Sequence, residues 1–247
     1  MESSIKLWQL SERLKTIASF IPDHKRVADI GGDHALLLTQ VAKENRLQKG
    51  VVGEINRGPH QNASERVKLA GLADLIDVRL GDGLAVIQPG EVEVVVIAGM
   101  GGALIASILE QGKDKLAGVE RLILQPNIGE SRVRWWLEEN GFRLVEETLV
   151  EEAGIYYEIL VAEPGKPGYV ADQILGRNMA REVGPLLWER RHPLLHKKLQ
   201  EVVAGKRKIL RQLNLGKTEQ AIARKRELEQ EIEAWERVIQ CLSKENN

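Results

Sequence analysis

The sequence predicts an α/β fold, in which a mostly parallel sheet ends in an antiparallel hairpin and is followed by a helical C-terminal domain. Short apolar runs alternate with amphipathic segments of helical period over the first 140 residues, as parallel strands joined by crossover helices require. The segment "GFRLVEETLVEEAGIYYEILVAEPG" then holds two strand patterns with no room for a helix between them. Beyond "EPGKPG" (163–168) the patterns are helical.

An amphipathic helix opens the chain, with Leu7, Leu10, Leu14 and Ile17 at helical spacing and Pro22 as its end. The predicted strands are Val27–Ile30, Gly50–Ile55, Ile76–Leu80, Val92–Ala98 and Leu122–Gln125. The helices between and after them are predicted near Ala35–Glu44, Gln61–Ala70, Ala103–Gln111 and Ser131–Asn140. The continuous run "VEVVVIAG" is typical of a strand that is buried on both faces.

The Pro/Gly-rich boundary predicts two domains, residues 1–164 and 165–247. In the second domain, the helical pattern from Glu182 to Leu213 is interrupted at Gly184-Pro185, His192-Pro193 and Gly205. The segment "TEQAIARKRELEQEIEAWERVIQCL" is coiled-coil-like, with apolar residues near heptad spacing at Ile222, Leu228, Ile232, Trp235, Ile239 and Leu242. This run is short for a coiled-coil dimer, so we expect an antiparallel helical pair and a monomer.

Charge is distributed unevenly along the chain. The net charge is -1, but residues from Gly165 onward carry 17 Lys and Arg against 11 Asp and Glu, a net charge of +6, which leaves -7 for the first 164 residues. A basic tail on an acidic body indicates a polyanionic partner, although a solvated helix rich in Lys, Arg and Glu has the same composition.

Composition also predicts the cellular setting. Cys241 is the only cysteine, so an internal disulfide and a cysteine metal cluster are excluded, and the five histidines are scattered, which predicts no metal site. The first residues lack the apolar core of a signal peptide, and the longest uncharged run, 94–109, is shorter than the roughly 20 residues of a spanning helix. We expect a cytoplasmic protein with no membrane partner.

The turn "DIGGDHA" (Asp29–Ala35) joins a predicted strand to a predicted helix, which is the geometry that places a nucleotide at the carboxyl edge of a sheet. Gly31 and Gly32 let the backbone approach a ligand, but Asp33 breaks the dinucleotide fingerprint. A carboxylate there repels a pyrophosphate and suits a cation. S-adenosyl-L-methionine carries a sulfonium and an ammonium and no phosphate, so the turn favours this cofactor over NAD.

Carboxylates end the first three predicted strands. Beside Asp29, Glu54 follows 25 residues later, where it can accept hydrogen bonds from ribose hydroxyls, and Asp82 can accept one from an adenine amino group. The predicted cofactor site is completed by Ile55, Gly83, Ala98, Gly99 and Met100. Helix capping or turn chemistry is the alternative for each acid taken singly.

These residues resemble the bacterial tRNA (adenine-22-N1)-methyltransferases. The resemblance spans residues 7–163 and is carried by "LSERL", "DIGGDHALL", "GEINRGP", "GDGL", "IAGMGGALIASIL", "RLILQPN" and "YYEILVAE". The family usually has Ser where Gly32 stands and Tyr-Leu-Pro where "LLL" follows Ala35. The resemblance implies a class I, Rossmann-like methyltransferase domain that transfers a methyl group from S-adenosyl-L-methionine to N1 of an adenine in the D-arm region of tRNA.

Adenine N1 has an in-plane lone pair, so the reaction requires orientation of the base rather than removal of a proton. Positive charge develops on the base, and a carboxylate that accepts from its N6 amino group would stabilise this charge. We predict this role for Asp33, with His34 as a hydrogen-bonding or stacking partner. Simple N-capping by Asp33 and packing of His34 at the helix start are the alternatives.

Three further residues are candidates for the substrate side of the site. Gln125 and Asn127 in "LQPN" are placed to read the Watson–Crick edge of an extruded base, or to satisfy backbone groups of a turn. Arg13 could clamp a phosphate or fix the pocket, or be a charge on an exposed helical face. Of Trp135 and Trp136, at least one is expected in the core.

Basic clusters in the tail, "ERRHPLLHKK" (189–198) and "GKRKILRQ" (205–212), are spaced to follow a phosphate backbone and are predicted to dock tRNA. Other functions remain open on the same fold: an oxidoreductase or another nucleotide-dependent enzyme, a non-catalytic RNA-binding protein, or a small-molecule methyltransferase.

Overall fold

The computed structural model describes residues 10–32, 35–166, 175–213 and 218–244, without the side chains at positions 221 and 244. Predictions that concern Leu7, Asp33 and His34 therefore fall outside the described residues. The chain divides into two compact units, Met1–Gly168 and Tyr169–Asn247.

The first unit alternates strands and helices before it ends in two consecutive strands. Its helices are α1 (Glu12–Ser19), α2 (Leu36–Lys43), α3 (Arg57–Leu69), α4 (Gly102–Gln111) and α5 (Glu130–Glu139). Its strands are β1 (Lys25–Ile30), β2 (Leu47–Glu54), β3 (Ile76–Leu80), β4 (Val94–Gly101), β5 (Arg121–Ile128), β6 (Phe142–Glu152) and β7 (Ile155–Pro164). Short 3-10 helices follow β3 at Gly83–Val86 and α4 at Lys113–Leu116.

The strands form a seven-stranded sheet in the order β3-β2-β1-β4-β5-β7-β6. Strands β1 to β5 pair in parallel, and β7 runs antiparallel to both β5 and β6. This arrangement confirms the predicted fold class. Because β1 has β2 on one side and β4 on the other, the strand order reverses there, and the crevice at the carboxyl end of such a switch point is where ligands bind in open α/β sheets.

The β6–β7 hairpin closes through a two-residue turn at Ala153 and Gly154. Both residues have positive φ, 52° and 76°, as a type I′ turn requires. Successive residues of β7 face opposite sides of the sheet. Ile159 therefore packs in the core on the side of α1 and α2, whereas Leu160 packs in the core on the side of α4 and α5. The hairpin thus carries side chains to both faces.

The second unit is helical, with α6 (Gly176–Val183), α7 (Pro185–Glu189), α8 (Leu195–Leu213) and α9 (Glu219–Lys244). Helices α8 and α9 are antiparallel, since His196 meets Ser243 and Lys206 pairs with Glu231. The expected interruption at Gly205 is wrong, because α8 continues through it. Burial of Leu199 and Val203 on the same helix outweighs the roughly 1 kcal/mol that glycine costs a helix.

The heptad pattern of α9 is only partly buried. Leu228, Ile232 and Trp235 lie in the core of the second unit, but Ile222 is 46% exposed. Ile222 lies in the first turn of α9, and Leu228 is the first of these heptad residues that is buried.

Candidate active site

A cavity of about 290 Å³ lies at the carboxyl edge of the sheet, at the switch point between β1 and β4. Its lining includes the predicted site residues Arg13, Asp29, Gly31, Gly32, Ala98, Gly99 and Asn127. Leu14, Leu36, Leu37 and Tyr157 complete the wall. Residues from α1, α2, four strands and the glycine turn thus converge on one small space.

The glycine turn after β1 is packed tightly. Gly31 has φ of 68° and its N–H donates to the carbonyl of Gly53 at 2.8 Å. A Cβ on Gly31 would overlap the end of the Met100 side chain, and one on Gly32 would overlap the buried Asp29 carboxylate. The two glycines therefore bring the backbone against these groups, which a larger residue would displace.

A β-bulge at Gly99 shapes the floor of the cavity. The register between β4 and β5 slips between Ala98 and Met100, and Gly99 has φ of 76°. Its backbone groups bond to side chains of β5 instead of to the backbone of that strand. The Gly99 N–H donates to Gln125 Oε1 at 3.1 Å, and the Gly99 carbonyl accepts from Asn127 Nδ2 at 2.8 Å. The glycine cluster of "AGMGG" opposite the proline of "LQPN" is the sequence signal that could have predicted this bulge.

The Gln125 amide is fully buried and has every hydrogen-bonding position in use. Its Oε1 accepts from Arg13 Nη1 and the Gly99 N–H, and its Nε2 donates to the Pro126 carbonyl at 2.9 Å and to Asn127 Oδ1 at 3.1 Å. An amide offers two donors and two acceptor lone pairs, so none is left for a ligand. In the structure the Gln125 amide therefore satisfies groups of the protein, which was the alternative to base reading, and its role towards a base stays a prediction.

Asn127 differs from Gln125 because its side chain is exposed in the cavity wall. It donates one N–H to the Gly99 carbonyl and accepts one hydrogen bond from Gln125. Among the described residues one N–H and one lone pair of this amide have no partner, so they remain for a ligand. The same two contacts fix the orientation of its amide.

Arg13 lies inside the cavity wall and not on an exposed helical face. Its guanidinium carbon is 5.0 Å from the centroid of the Tyr157 ring, a cation–π distance, while Nη1 donates to Gln125. Its Nε is buried without a hydrogen-bond partner among the described residues. Helix α1 is anchored at the same residue, since the Arg13 backbone N–H donates to Glu152 Oε2 at 3.1 Å.

Two opposing effects act on the pKa of Glu152. Burial raises it, but hydrogen bonds from the Arg13 N–H and the Ser11 hydroxyl, together with the Arg13 charge, lower it further, so the pKa lies below its usual value. Glu152 is therefore an ionised acceptor that joins β6 to the start of α1.

Tyr157 is the site residue that the sequence analysis did not single out. The signal was present in the alternation along "YYEILVAE", because Tyr157 shares a strand face with Ile159 and Val161, and that face lies on the side of α1. Its position in the cavity depends on the pairing of β7 with β5, which local periodicity does not specify.

Known proteins match this chain over most of its length. The sequence profile of a family described as tRNA (adenine(22)-N(1))-methyltransferase matches residues 27–237. The chain belongs to this family. It is 42% identical over 233 residues to the tRNA (adenine(22)-N(1))-methyltransferase of Bacillus subtilis (strain 168), which covers 94% of this chain and 97% of that protein. The resemblance drawn from the sequence motifs is confirmed.

Solved structures of similar proteins agree with the fold. The crystal structure of the B. subtilis m1A22 tRNA methyltransferase TrmK is 41% identical, with a TM-score of 0.84, and covers 94% of this chain and 99% of that chain. A candidate tRNA (m1A22) methyltransferase of Streptococcus pneumoniae, solved in complex with S-adenosyl-L-methionine, is 37% identical, with a TM-score of 0.82 and coverage of 94% and 100%.

Glu54 and Asp82, the other two acids that follow strands in the tRNA (adenine(22)-N(1))-methyltransferase motifs, lie along the same edge of the sheet but outside the cavity wall. Glu54 ends β2 and is 7% exposed, and Ile55 after it is 59% exposed. Asp82 precedes the 3-10 helix that begins at Gly83, and its side chain makes no capping hydrogen bond. Capping therefore does not account for Asp82.

The predicted catalytic pair, Asp33 and His34, lies between Gly32 of the cavity wall and Ala35. Ala35 occupies the N-cap position of α2, with φ of 57° and no side-chain cap. Asp33 and His34 are outside the described residues, so their roles stay predictions.

No group of three or more His, Cys, Asp or Glu side chains in the described part of the chain is placed to hold a metal ion. No described helix combines the length and the apolarity needed to cross a membrane.

Proposed function

We propose that this protein transfers the methyl group of S-adenosyl-L-methionine to N1 of adenine 22 in tRNA. One observation carries the proposal: Asp29, Glu54 and Asp82 follow one another along the carboxyl edge of three adjacent strands, beside a glycine turn. Carboxylates at this edge suit a cationic nucleoside, and the Asp33 carboxylate in the glycine turn would repel a pyrophosphate. Membership of the tRNA (adenine(22)-N(1))-methyltransferase family supports the reaction and the substrate.

The residues present fit this cofactor. A Cβ on Gly31 would clash with Met100 and one on Gly32 with the Asp29 carboxylate, so only glycine lets the backbone of this turn lie against these groups. In this proposal Glu54 accepts from ribose hydroxyls and Asp82 from an adenine amino group, and the exposed Ile55 side chain directly after Glu54 contacts the adenine ring. When bound, the cofactor supplies the methyl group as a sulfonium.

On the substrate side, the chain has to hold the adenine with N1 towards the donor methyl group, because alignment can supply several kcal/mol for a nucleophile that needs no deprotonation. Asp33 accepts from the N6 amino group as positive charge develops on the base, and His34 supports it. The lone pair that Asn127 Oδ1 has without a partner among the described residues can accept from the N6 amino group of adenine, a donor that the O6 carbonyl of guanine does not supply.

In this proposal Arg13, Gln125 and Tyr157 position the groups that contact the ligands. Gln125 holds the Gly99 bulge and the Asn127 amide, and Arg13 links Gln125 to the Tyr157 ring. The buried Arg13 Nε gives the cavity one donor for an acceptor atom of the bound molecules. The network thereby fixes the shape of the cavity before ligands enter.

The C-terminal unit docks the tRNA in this proposal, with residues 1–164 as the methyltransferase domain and residues 165–247 as the docking domain. Ion pairs neutralise part of the basic clusters, since Lys206 pairs with Glu231 and Arg207 with Glu236. Lys197, Lys208 and Arg211 remain exposed on one face of α8, without an ion-pair partner among the described residues. They span about 21 Å of helix, enough to follow several phosphates.

The reaction is tested with unmodified tRNA and methyl-labelled S-adenosyl-L-methionine, followed by mass-spectrometric mapping of the modified nucleotide. We expect one N1-methyladenine at position 22 and no product from a matched tRNA with guanine at that position. Saturable binding of NAD without binding of S-adenosyl-L-methionine would support an oxidoreductase, and tRNA binding without methyl transfer would support a non-catalytic RNA-binding protein.

The docking role is tested by replacing Lys197, Lys208 and Arg211 together with glutamine. We expect weaker tRNA binding, a shallower dependence on salt and unchanged binding of S-adenosyl-L-methionine. The matched control replaces Arg224 and Lys225, which pair with glutamates on their own helix, and should change tRNA binding little. Equal losses of tRNA binding in the two variants would contradict the proposal that this face of α8 docks tRNA.

A monomer in the cytoplasm is part of the same proposal, because the substrate is tRNA and Cys241 has no cysteine partner within the chain. Sedimentation of the purified protein measures whether it is a monomer. A dimer at micromolar concentration would contradict the proposed monomer.

A further inference from the structure

The cavity at the switch point has one positive charge in its wall. Among the described residues that line it, Arg13 is the only cation and Asp29 the only anion. S-adenosyl-L-methionine carries a sulfonium, an ammonium and a carboxylate. The acids along the carboxyl edge suit the two cationic groups and repel the carboxylate. A cofactor that is held by acids therefore needs a cation for its carboxylate.

The strand order places the amino-acid end of the cofactor at this cavity. In the proposed function, adenine and ribose lie at Asp82 and Glu54, at the ends of β3 and β2. Strand β1 follows β2 in the sheet, and β4 follows β1. Neighbouring strands are about 4.8 Å apart, so a cofactor that runs along the edge from β3 extends its methionine chain over β1 and β4. Gly31 and Gly32 after β1 and Gly99 of β4 line the cavity at that position.

Three contacts fix the Arg13 guanidinium at the end of β4. A Cβ on Gly99 would lie 3.8 Å from Arg13 Nη1, and Nη1 donates to Gln125 of the neighbouring strand. The guanidinium carbon is 5.0 Å from the centroid of the Tyr157 ring. The charge is therefore held next to the strand that carries the glycine turn, in the wall of the same cavity.

Most of the hydrogen-bonding capacity of Arg13 is unused. A guanidinium has five N–H donors in a planar fork. Among the described residues, Nη1 has a partner, Nη2 has none, and Nε is buried without one. Arg13 also forms no ion pair with a described carboxylate, since Glu152 accepts from its backbone N–H. A planar fork with free donors matches the two oxygens of a carboxylate.

We propose that Arg13 pairs with the α-carboxylate of S-adenosyl-L-methionine. The inference rests on the proposed function, and it makes Arg13 a cofactor-binding residue in addition to its contacts with Gln125 and Tyr157. A tRNA phosphate is the other anion of the reaction. It suits this position less, because the phosphates of an extruded nucleotide stay in the RNA backbone, whereas Arg13 is half-buried in the wall of a cavity of about 290 Å³.

The test measures the affinity of the full-length protein for S-adenosyl-L-methionine and for its decarboxylated form, by calorimetry without tRNA. The decarboxylated form keeps the sulfonium, the ammonium and the adenosine, so the ratio of the two dissociation constants reports on the carboxylate. In the wild type the decarboxylated form should bind about 30-fold more weakly, because the guanidinium is left without its partner. In Arg13→Met the two dissociation constants should agree within about threefold, since neither compound has a charge to pair with there.

The ratio separates the proposed contact from a structural role of Arg13. A general change in the shape of the cavity weakens both compounds and leaves their ratio unchanged. Lys15→Met is the matched control, because it removes a charge from the same helix at an exposed side chain that pairs with Glu12. Its ratio should equal that of the wild type. Arg13→Lys keeps the charge without the planar fork and should give an intermediate ratio.

Two results would overturn the inference: wild-type dissociation constants that agree within about threefold, or an Arg13→Met variant that keeps the wild-type ratio. If Arg13 held a tRNA phosphate instead, Arg13→Met would keep that ratio and would lower the salt slope of tRNA binding by about one. A wild-type protein that binds neither compound would refute the proposed function itself.

Discussion

Two arginines reach strand β7 from opposite faces of the sheet. Arg13 lies over Tyr157, and Arg134 of α5 pairs with Glu158, the next residue of the strand. Both also contact β6: the Arg13 backbone N–H donates to Glu152, and Arg134 Nε pairs with Glu147 at 2.6 Å. The same two strands thus hold two arginine networks with different surroundings.

The surroundings assign each network its role. The side chains of Arg134, Glu147 and Glu158 are 0–1% exposed, so one guanidinium holds two carboxylates away from solvent. Arg13 instead contacts an amide and a ring at the wall of a cavity. The buried network can act only on the hairpin, whereas the network at the cavity wall can also act on a ligand.

The largest expected effect is on stability, from Arg134→Met. Removing the guanidinium leaves two buried carboxylates without their counter-charge, which should lower the free energy of unfolding by about 3–5 kcal/mol. Urea denaturation measures this change in the free energy of unfolding. The triple variant Arg134→Met/Glu147→Gln/Glu158→Gln should recover much of the loss, and an equally unstable triple variant would show that packing, not charge, dominates.

Arg13→Met should affect catalysis more than stability. Without the guanidinium, Tyr157 and the Gln125 amide lose their link, and a small displacement of the cavity wall should lower kcat/KM for tRNA about 100-fold. The free energy of unfolding should fall by only about 1 kcal/mol, because the lost hydrogen bond is one of several at Gln125. Steady-state kinetics and denaturation of the same preparation separate the two effects. A stability loss as large as that of Arg134→Met would remove the distinction between the networks.

Substitutions of Tyr157 should have a smaller effect on kcat/KM, and they separate the contribution of its ring from that of its hydroxyl. Tyr157→Leu removes the cation–π contact and should lower kcat/KM about tenfold, whereas Tyr157→Phe keeps the ring and should stay within about threefold of the wild type. If Phe were as poor as Leu, the hydroxyl would be the functional group instead of the aromatic face.

Glu152→Gln should have the smallest effect. It should lower the free energy of unfolding by about 0.5–1 kcal/mol at neutral pH, because glutamine still accepts from the Arg13 N–H but carries no charge. The pKa of Glu152 is lower in the folded protein than in the unfolded chain, so its contribution is present above the unfolded pKa and is lost as pH falls through the folded pKa. Wild-type stability should therefore fall towards that of the variant on acidification. A difference that is constant with pH would contradict the role of its charge.

The sequence by itself determined the succession of elements, the parallel sheet with its closing hairpin, the glycine turn and the acids at the strand ends. These features are local: period-2 and helical patterns, glycine at positive φ and a carboxylate after a strand are written in neighbouring residues. Predicting Gly205 as an interruption failed for the opposite reason, since burial of the rest of α8 outweighs the local preference of one residue.

Only the tertiary structure decided which polar residues act on a ligand and which act on the protein. Gln125 meets Arg13 across 112 residues of sequence, and Arg13 meets Glu152 across 139, so no local pattern could reveal that the Gln125 amide is saturated. Arg13 and Arg134 are the same residue type on helices, and their difference arises from what the folded sheet places around them. Burial and hydrogen-bond saturation are properties of three-dimensional neighbours, and these neighbours exist only after the strands have paired.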